Sequence, residues 1–126
     1  MGILEASQPT VVICTRDRDR SIAFYRDMLG LPMACEDHLA AVLNVGGITL
    51  RISHVADFSP HGHTILGFRV QDVRSTVIAL GENGVVFNRY PHVTHDELGI
   101  MTFPGENVQV AWLTDPDGNV LSVTNI

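Results

Sequence analysis

Three features of the chain predict an α+β fold built from two tandem βαβββ modules. An offset of 54 carries Thr10, Arg20-Ser21 and Gly30 onto Thr64, Arg74-Ser75 and Gly84, so strand, helix start and helix stop return together. This is an internal duplication. Helical spacing occurs only in two short segments, each preceded by an aspartate and closed by a glycine, as capping chemistry prefers. The remainder consists of β-branched runs separated by tight-turn formers, the pattern of short strands and hairpins. The modules cover about residues 8–57 and 63–126 of a single domain, 1–126.

Thr10 to Cys14 is the first β-branched run. Asp17 or Asp19 then offers an N-cap to a helix over Ser21 to Leu29, where Ile22, Tyr25, Met28 and Leu29 recur at helical spacing and Gly30 supplies the stop. Strands follow at Met33 to Cys35, Ala40 to Val45 and Ile48 to His54, the last two joined by Gly46-Gly47, a hairpin turn. Asp57 to His63, with Pro60 and Gly62, connects the modules. Ile65 to Val70 restarts the order, Asp72 caps a helix carrying Val73, Val77 and Leu80, Gly84 ends it, and Val85 to Tyr90 reads as the next strand.

The closing stretch, Val110 to Thr124, places Asp115-Pro116-Asp117-Gly118-Asn119 between two apolar runs and predicts a β-hairpin. Its outgoing strand alternates, with Leu121 and Val123 on one face and Val120, Ser122 and Thr124 on the other. By strand position Arg51 corresponds to Ser122, an offset of 71, so the second module holds 17 further residues, between about Phe87 and Gln109. That insert carries His92, His95, Asp96 and Glu97, a short strand from Ile100 to Phe103 and the Pro104-Gly105 turn. It reads either as a functional loop or as a plain surface excursion.

At 126 residues the chain buries about two thirds of its unfolded surface and needs no disulfide or structural metal to stand alone. With 8 basic against 14 acidic side chains and a net charge of −6, it makes a poor nucleic-acid binder. No run approaches the roughly 18 apolar residues of a membrane span, and the N-terminus lacks a signal peptide's pattern, so a soluble, cytoplasmic protein is expected. Cys14 and Cys35 lack CxxC spacing and lie in apolar-leaning segments, which predicts buried thiols.

The paired βαβββ modules, the segment Asp17-Arg18-Asp19-Arg20-Ser21-Ile22-Ala23-Phe24-Tyr25-Arg26-Asp27-Met28-Leu29-Gly30-Leu31 and the closing Asp115-Pro116-Asp117-Gly118-Asn119 together resemble the vicinal oxygen chelate superfamily. That superfamily includes glyoxalase I, extradiol dioxygenases and bleomycin-resistance proteins. The resemblance implies that each module curls its sheet into a half-barrel and that the halves enclose a cavity faced by Thr49, Arg51, Ser53, Ser122 and Thr124. The family's metal ligands would fall on Thr10, Arg51, Ile65 (Thr64 if the register slips by one) and Ser122, none of them a normal divalent-metal ligand. Arg51 would also repel a cation. No metal cofactor is therefore expected, a divalent ion held by loop histidines being the alternative. In the dioxygenases a tyrosine stands ten residues before the last ligand, and here that position is Trp112. An indole donates only, so Trp112 reads as a surface that stacks on a flat ligand or as a core residue; Tyr90 and Phe103 add aromatic surface or pack the core in the same way.

The expected function is binding of a small anionic or aromatic organic molecule, with Arg51 as charge partner, Trp112 as stacking surface, and Thr10, Thr49 and Ser122 as hydrogen bonders. The alternatives are a metal-dependent lyase or dioxygenase, a metal-free lyase or isomerase using His92 or His95 as general base, and an interaction module with a vestigial cavity. Because the duplicated halves expose related surfaces, a homodimer is expected.

Overall fold

The computed structural model describes residues 2–126 and contains two compact units, one ending at Phe58 and the other spanning Ser59–Ile126. Each is a four-stranded mixed sheet with a helix on one face. None of the described helices is long and apolar enough to cross a membrane.

In the first unit β1 (Thr10–Thr15), β2 (Met33–Glu36), β3 (Ala40–Val45) and β4 (Ile48–His54) lie in the order β1-β4-β3-β2, with β1 parallel to β4. Pleating sends Ile13, Leu43, Leu50 and Ile52 to the same side, where they are buried with Ile22 and Tyr25 of the helical segment. That segment starts earlier than its apolar spacing predicts. Asp17 is the N-cap, accepting from the Arg20 N–H at 3.2 Å, so α1 runs Arg18–Ile22. It then widens into a π-helical turn, Ala23–Met28, with Leu29 N–H donating to Phe24 O at 3.0 Å. The wider turn lets consecutive Phe24 and Tyr25 both be buried, their rings edge to face at 5.1 Å. Gly46 and Gly47, both at positive φ, make the β3–β4 hairpin. Cys14 is half-buried, whereas Cys35 is exposed on the outermost strand, contrary to the expectation of two buried thiols.

The second unit repeats the plan. β5 (Thr64–Arg69), β6 (Met101–Thr102), β7 (Gln109–Thr114) and β8 (Val120–Thr124) take the order β5-β8-β7-β6, with β5 parallel to β8. α2 (Val73–Glu82), capped by Asp72 at the Ser75 N–H, packs on the face that buries Ala111, Leu113, Leu121 and Val123. Two departures from the sequence reading matter for the site. Residues 85–90 form no strand, only a single bridge from Phe87 to Leu113. The Asn88 N–H makes that bridge's bond to Trp112 O of β7 at 2.7 Å, and pairing stops there because the Tyr90 N–H is taken by the His95 ring at 2.9 Å. The other departure is an irregularity in β5 between Thr64 and Leu66. It places Thr64 opposite Val120 as Thr10 lies opposite Thr49, so Thr64 rather than Ile65 is the counterpart of Thr10.

Candidate functional site

In the first unit Thr10, Thr49 and Arg51 share the sheet face opposite α1, since Thr10 pairs with Thr49, and Arg51 lies between Val12 and Val42. That face is open, with Val12 56% exposed. Arg51 has a neighbour that sequence spacing did not reveal. Its guanidinium is 3.6 Å from Asp37 Oδ2, too long for a hydrogen bond but close enough for charge attraction. Asp37 sits in the β2–β3 turn, where the Ala40 and Leu39 N–H groups, and then the Arg51 charge, hold its carboxyl below the usual aspartate range. Part of the Arg51 charge is therefore already answered within the first unit.

The second unit gathers more chemistry. On the face opposite α2, β8 presents Val120, Ser122 and Thr124, and β7 presents Val110, Trp112 and Thr114, with Trp112 paired to Ser122. Gly67 is the β5 partner of Ser122, and a methyl group there would stand 3.0 Å from its Oγ, so glycine keeps the strands close around the hydroxyl. Ser122 is 7% exposed.

Against this face the insert lays an aromatic cluster. The Tyr90 ring meets the Trp112 ring edge to face at 5.5 Å, and His95 approaches the same indole at 6.2 Å, also edge-on. His92 lies 6.1 Å from Tyr90. Tyr90, His92 and Trp112, with His63, Thr64, Val93 and Val120, line an open concavity of about 350 Å³. Among the described residues, the Trp112 Nε1–H, the ring nitrogens of His63 and His92 and the Thr64 hydroxyl have no hydrogen-bond partner.

His95 differs from His92 in this respect. Its Nε2 accepts the Tyr90 N–H at 2.9 Å, which assigns the proton to Nδ1, donating to Gly99 O at 2.8 Å. Both nitrogens are thus occupied within the insert. Asn88 completes the cluster: its Nδ2 donates to the Tyr90 hydroxyl at 3.1 Å and to Thr114 Oγ1 at 2.8 Å. Asn88 escaped the sequence reading because an asparagine in a presumed strand gives no sign of its partners. Phe103 lies beyond β6 and does not line the concavity.

The four strand positions that the resemblance makes ligand slots hold Thr10, Arg51, Thr64 and Ser122. Three hydroxyls and a guanidinium do not fit a divalent ion. Among the described residues no three His, Cys, Asp or Glu side chains are arranged to hold a metal.

The family model described as Glyoxalase/Bleomycin resistance protein/Dioxygenase superfamily matches residues 7–123. No curated protein sequence matches significantly. Among similar solved structures is UcmS2, with a TM-score of 0.74 at 18% identity over 97% of this chain and 99% of that one. A bleomycin resistance determinant encoded on transposon Tn5 gives 0.70 at 22% identity, covering 94% and 97%. A bleomycin-binding protein complexed with bleomycin gives 0.68 at 19%, covering 96% and 99%. At such identities these likenesses describe the fold.

Proposed function

Because the chain belongs to the glyoxalase/bleomycin resistance protein/dioxygenase superfamily, we propose that it binds a small flat organic molecule without a metal ion. The observation that carries this reading is the Trp112 concavity, where aromatic rings form an apolar wall and several polar atoms have no hydrogen-bond partner among the described residues. Such a combination suits a planar ligand: the rings supply contact area at little entropic cost, and the open donors fix orientation. Ser122 and Thr64 add hydroxyls on the same face. Thr10, Thr49 and Arg51 form the corresponding polar surface of the first unit, with Arg51 the source of positive charge.

Trp112 is the sole tryptophan, so its emission reports on this site alone. Planar aromatic compounds are expected to shift or quench that emission saturably. Trp112→Leu should weaken their binding, followed by calorimetry, about fivefold, in line with about 1 kcal/mol for an aromatic pair beyond its area term. An undiminished affinity in that variant would reject the site.

The donor sets support a metal-free reading. Protein prepared without a histidine tag is expected to retain well under one equivalent of Zn, Fe, Mn, Ni or Co after dialysis, and stoichiometric metal by elemental analysis would contradict the proposal. In the same sample light scattering should return twice the chain mass, because the exposed face around Val12 and the related face of the second unit suit a two-fold contact. A monomer at micromolar concentration would count against that assembly.

A further inference from the structure

The polar atoms in the Trp112 concavity are biased toward donation. The indole Nε1–H can only donate. The Tyr90 hydroxyl oxygen already accepts from Asn88 Nδ2 at 3.1 Å, which leaves its hydrogen free to donate. His63 and His92 each bring an imidazole N–H donor beside one ring nitrogen that can accept. The Tyr90 carbonyl already accepts the Val93 N–H at 3.1 Å.

Among the described residues no Asp or Glu lines the concavity, in a chain whose net charge is −6. The insert's own carboxylates are engaged elsewhere. Asp96 Oδ1 accepts the Leu98 and Ile100 N–H groups at 2.9 Å, and Glu97 pairs with Arg74 at 3.0 Å. A ligand entering here meets donors and an aromatic wall without a competing negative charge.

We infer that the Trp112 concavity selects a planar aromatic ring bearing a carboxylate, the ring lying on the Trp112–Tyr90 wall and the carboxylate meeting the His63 and His92 side chains. The inference rests on this concavity being the binding site and goes further by assigning the ligand's charge. An ammonium on the same ring would find only the Thr64 hydroxyl and an imidazole nitrogen to accept its N–H groups, with no carboxylate to answer its charge, and would be disfavoured.

The test is calorimetric titration of the full chain with three probes that share one ring system: 2-naphthoate, 2-naphthamide and 2-naphthylmethylammonium. Naphthoate is expected to bind at least tenfold more tightly than the ammonium, the amide falling between them, as charge-assisted hydrogen bonds require. In a His63→Gln/His92→Gln variant naphthoate should fall to about the level of the amide while the amide itself changes little. Equal binding of naphthoate and the ammonium by the unaltered protein overturns the inference but leaves ring binding standing. Selectivity that persists in the double histidine variant and disappears in Arg51→Met assigns the anchor to Arg51 and also overturns it. If none of the three binds, the concavity is not a binding site and the proposed function falls with the inference.

Discussion

Asp115→Ala is expected to destabilise the protein by about 3 kcal/mol, a large share of the roughly 5–15 kcal/mol that holds an ordinary domain folded. Asp115, Asp117 and Asn119 are 4%, 1% and 3% exposed, so the turn between β7 and β8 is buried although it is polar. One carboxylate satisfies much of it. Asp115 Oδ1 accepts the N–H groups of Asp117 and Asn119, each at 2.9 Å, and Oδ2 accepts the Asn119 side-chain amide at 2.8 Å. Truncation strands three donors away from water, and each buried unsatisfied group costs about 1–3 kcal/mol. Asp115→Asn keeps an oxygen for the two backbone donors and should lose only about 1 kcal/mol. Urea unfolding of both variants checks the order. A loss below 1 kcal/mol for the alanine variant would mean that Gly118, at φ +95° with no room for a Cβ beside Pro60, sets the turn unaided.

The consequence reaches the site, because this turn fixes the register that sets Trp112 opposite Ser122. It was also the most legible part of the chain. Turn and cap chemistry is local, so the Asp17 and Asp72 N-caps, the positive-φ stops at Gly30 and Gly84, and both hairpin turns could be read from neighbouring residues alone. The grouping of Thr10, Thr49 and Arg51 was implied by the family resemblance, and the pairing of β1 with β4 sets the three on one face. What stayed hidden depends on partners distant in sequence. Residues 85–90 have strand-forming composition, yet pairing with β7 ends at one bridge and the Tyr90 N–H goes to the His95 ring, which no period-two pattern encodes. The one-residue slip that makes Thr64 the slot in place of Ile65 stood as an alternative in the sequence, whereas the π-helical widening at Ala23 left no sign in the spacing. Asp37 was invisible as a neighbour of Arg51 for the same reason: a turn residue became its counter-charge only when β2, β3 and β4 came together.

His95→Leu is expected to cost about 2 kcal/mol of stability and, more tellingly, to weaken aromatic ligands about tenfold. The imidazole bridges the Tyr90 N–H and the Gly99 carbonyl, and so ties the start of the insert to its end while its ring rests on the Trp112 edge. Leucine fills much of the volume but offers neither an acceptor to Tyr90 nor a donor to Gly99. Gly99 is itself buried, with positive φ and its Cα against Phe87, so its carbonyl has little freedom to find another partner. Without the bridge the Tyr90 ring loses its fixed place beside the indole, and Trp112 emission should move to longer wavelength as water reaches the ring. His95→Gln supplies a carbonyl oxygen in reach of the Tyr90 N–H and is expected to restore most of the ligand affinity while recovering only part of the stability. This separation distinguishes a residue that positions the site from one that merely holds the loop closed. If the leucine variant loses stability but keeps both its emission maximum and its affinity for planar ligands, His95 has no part in shaping the binding wall.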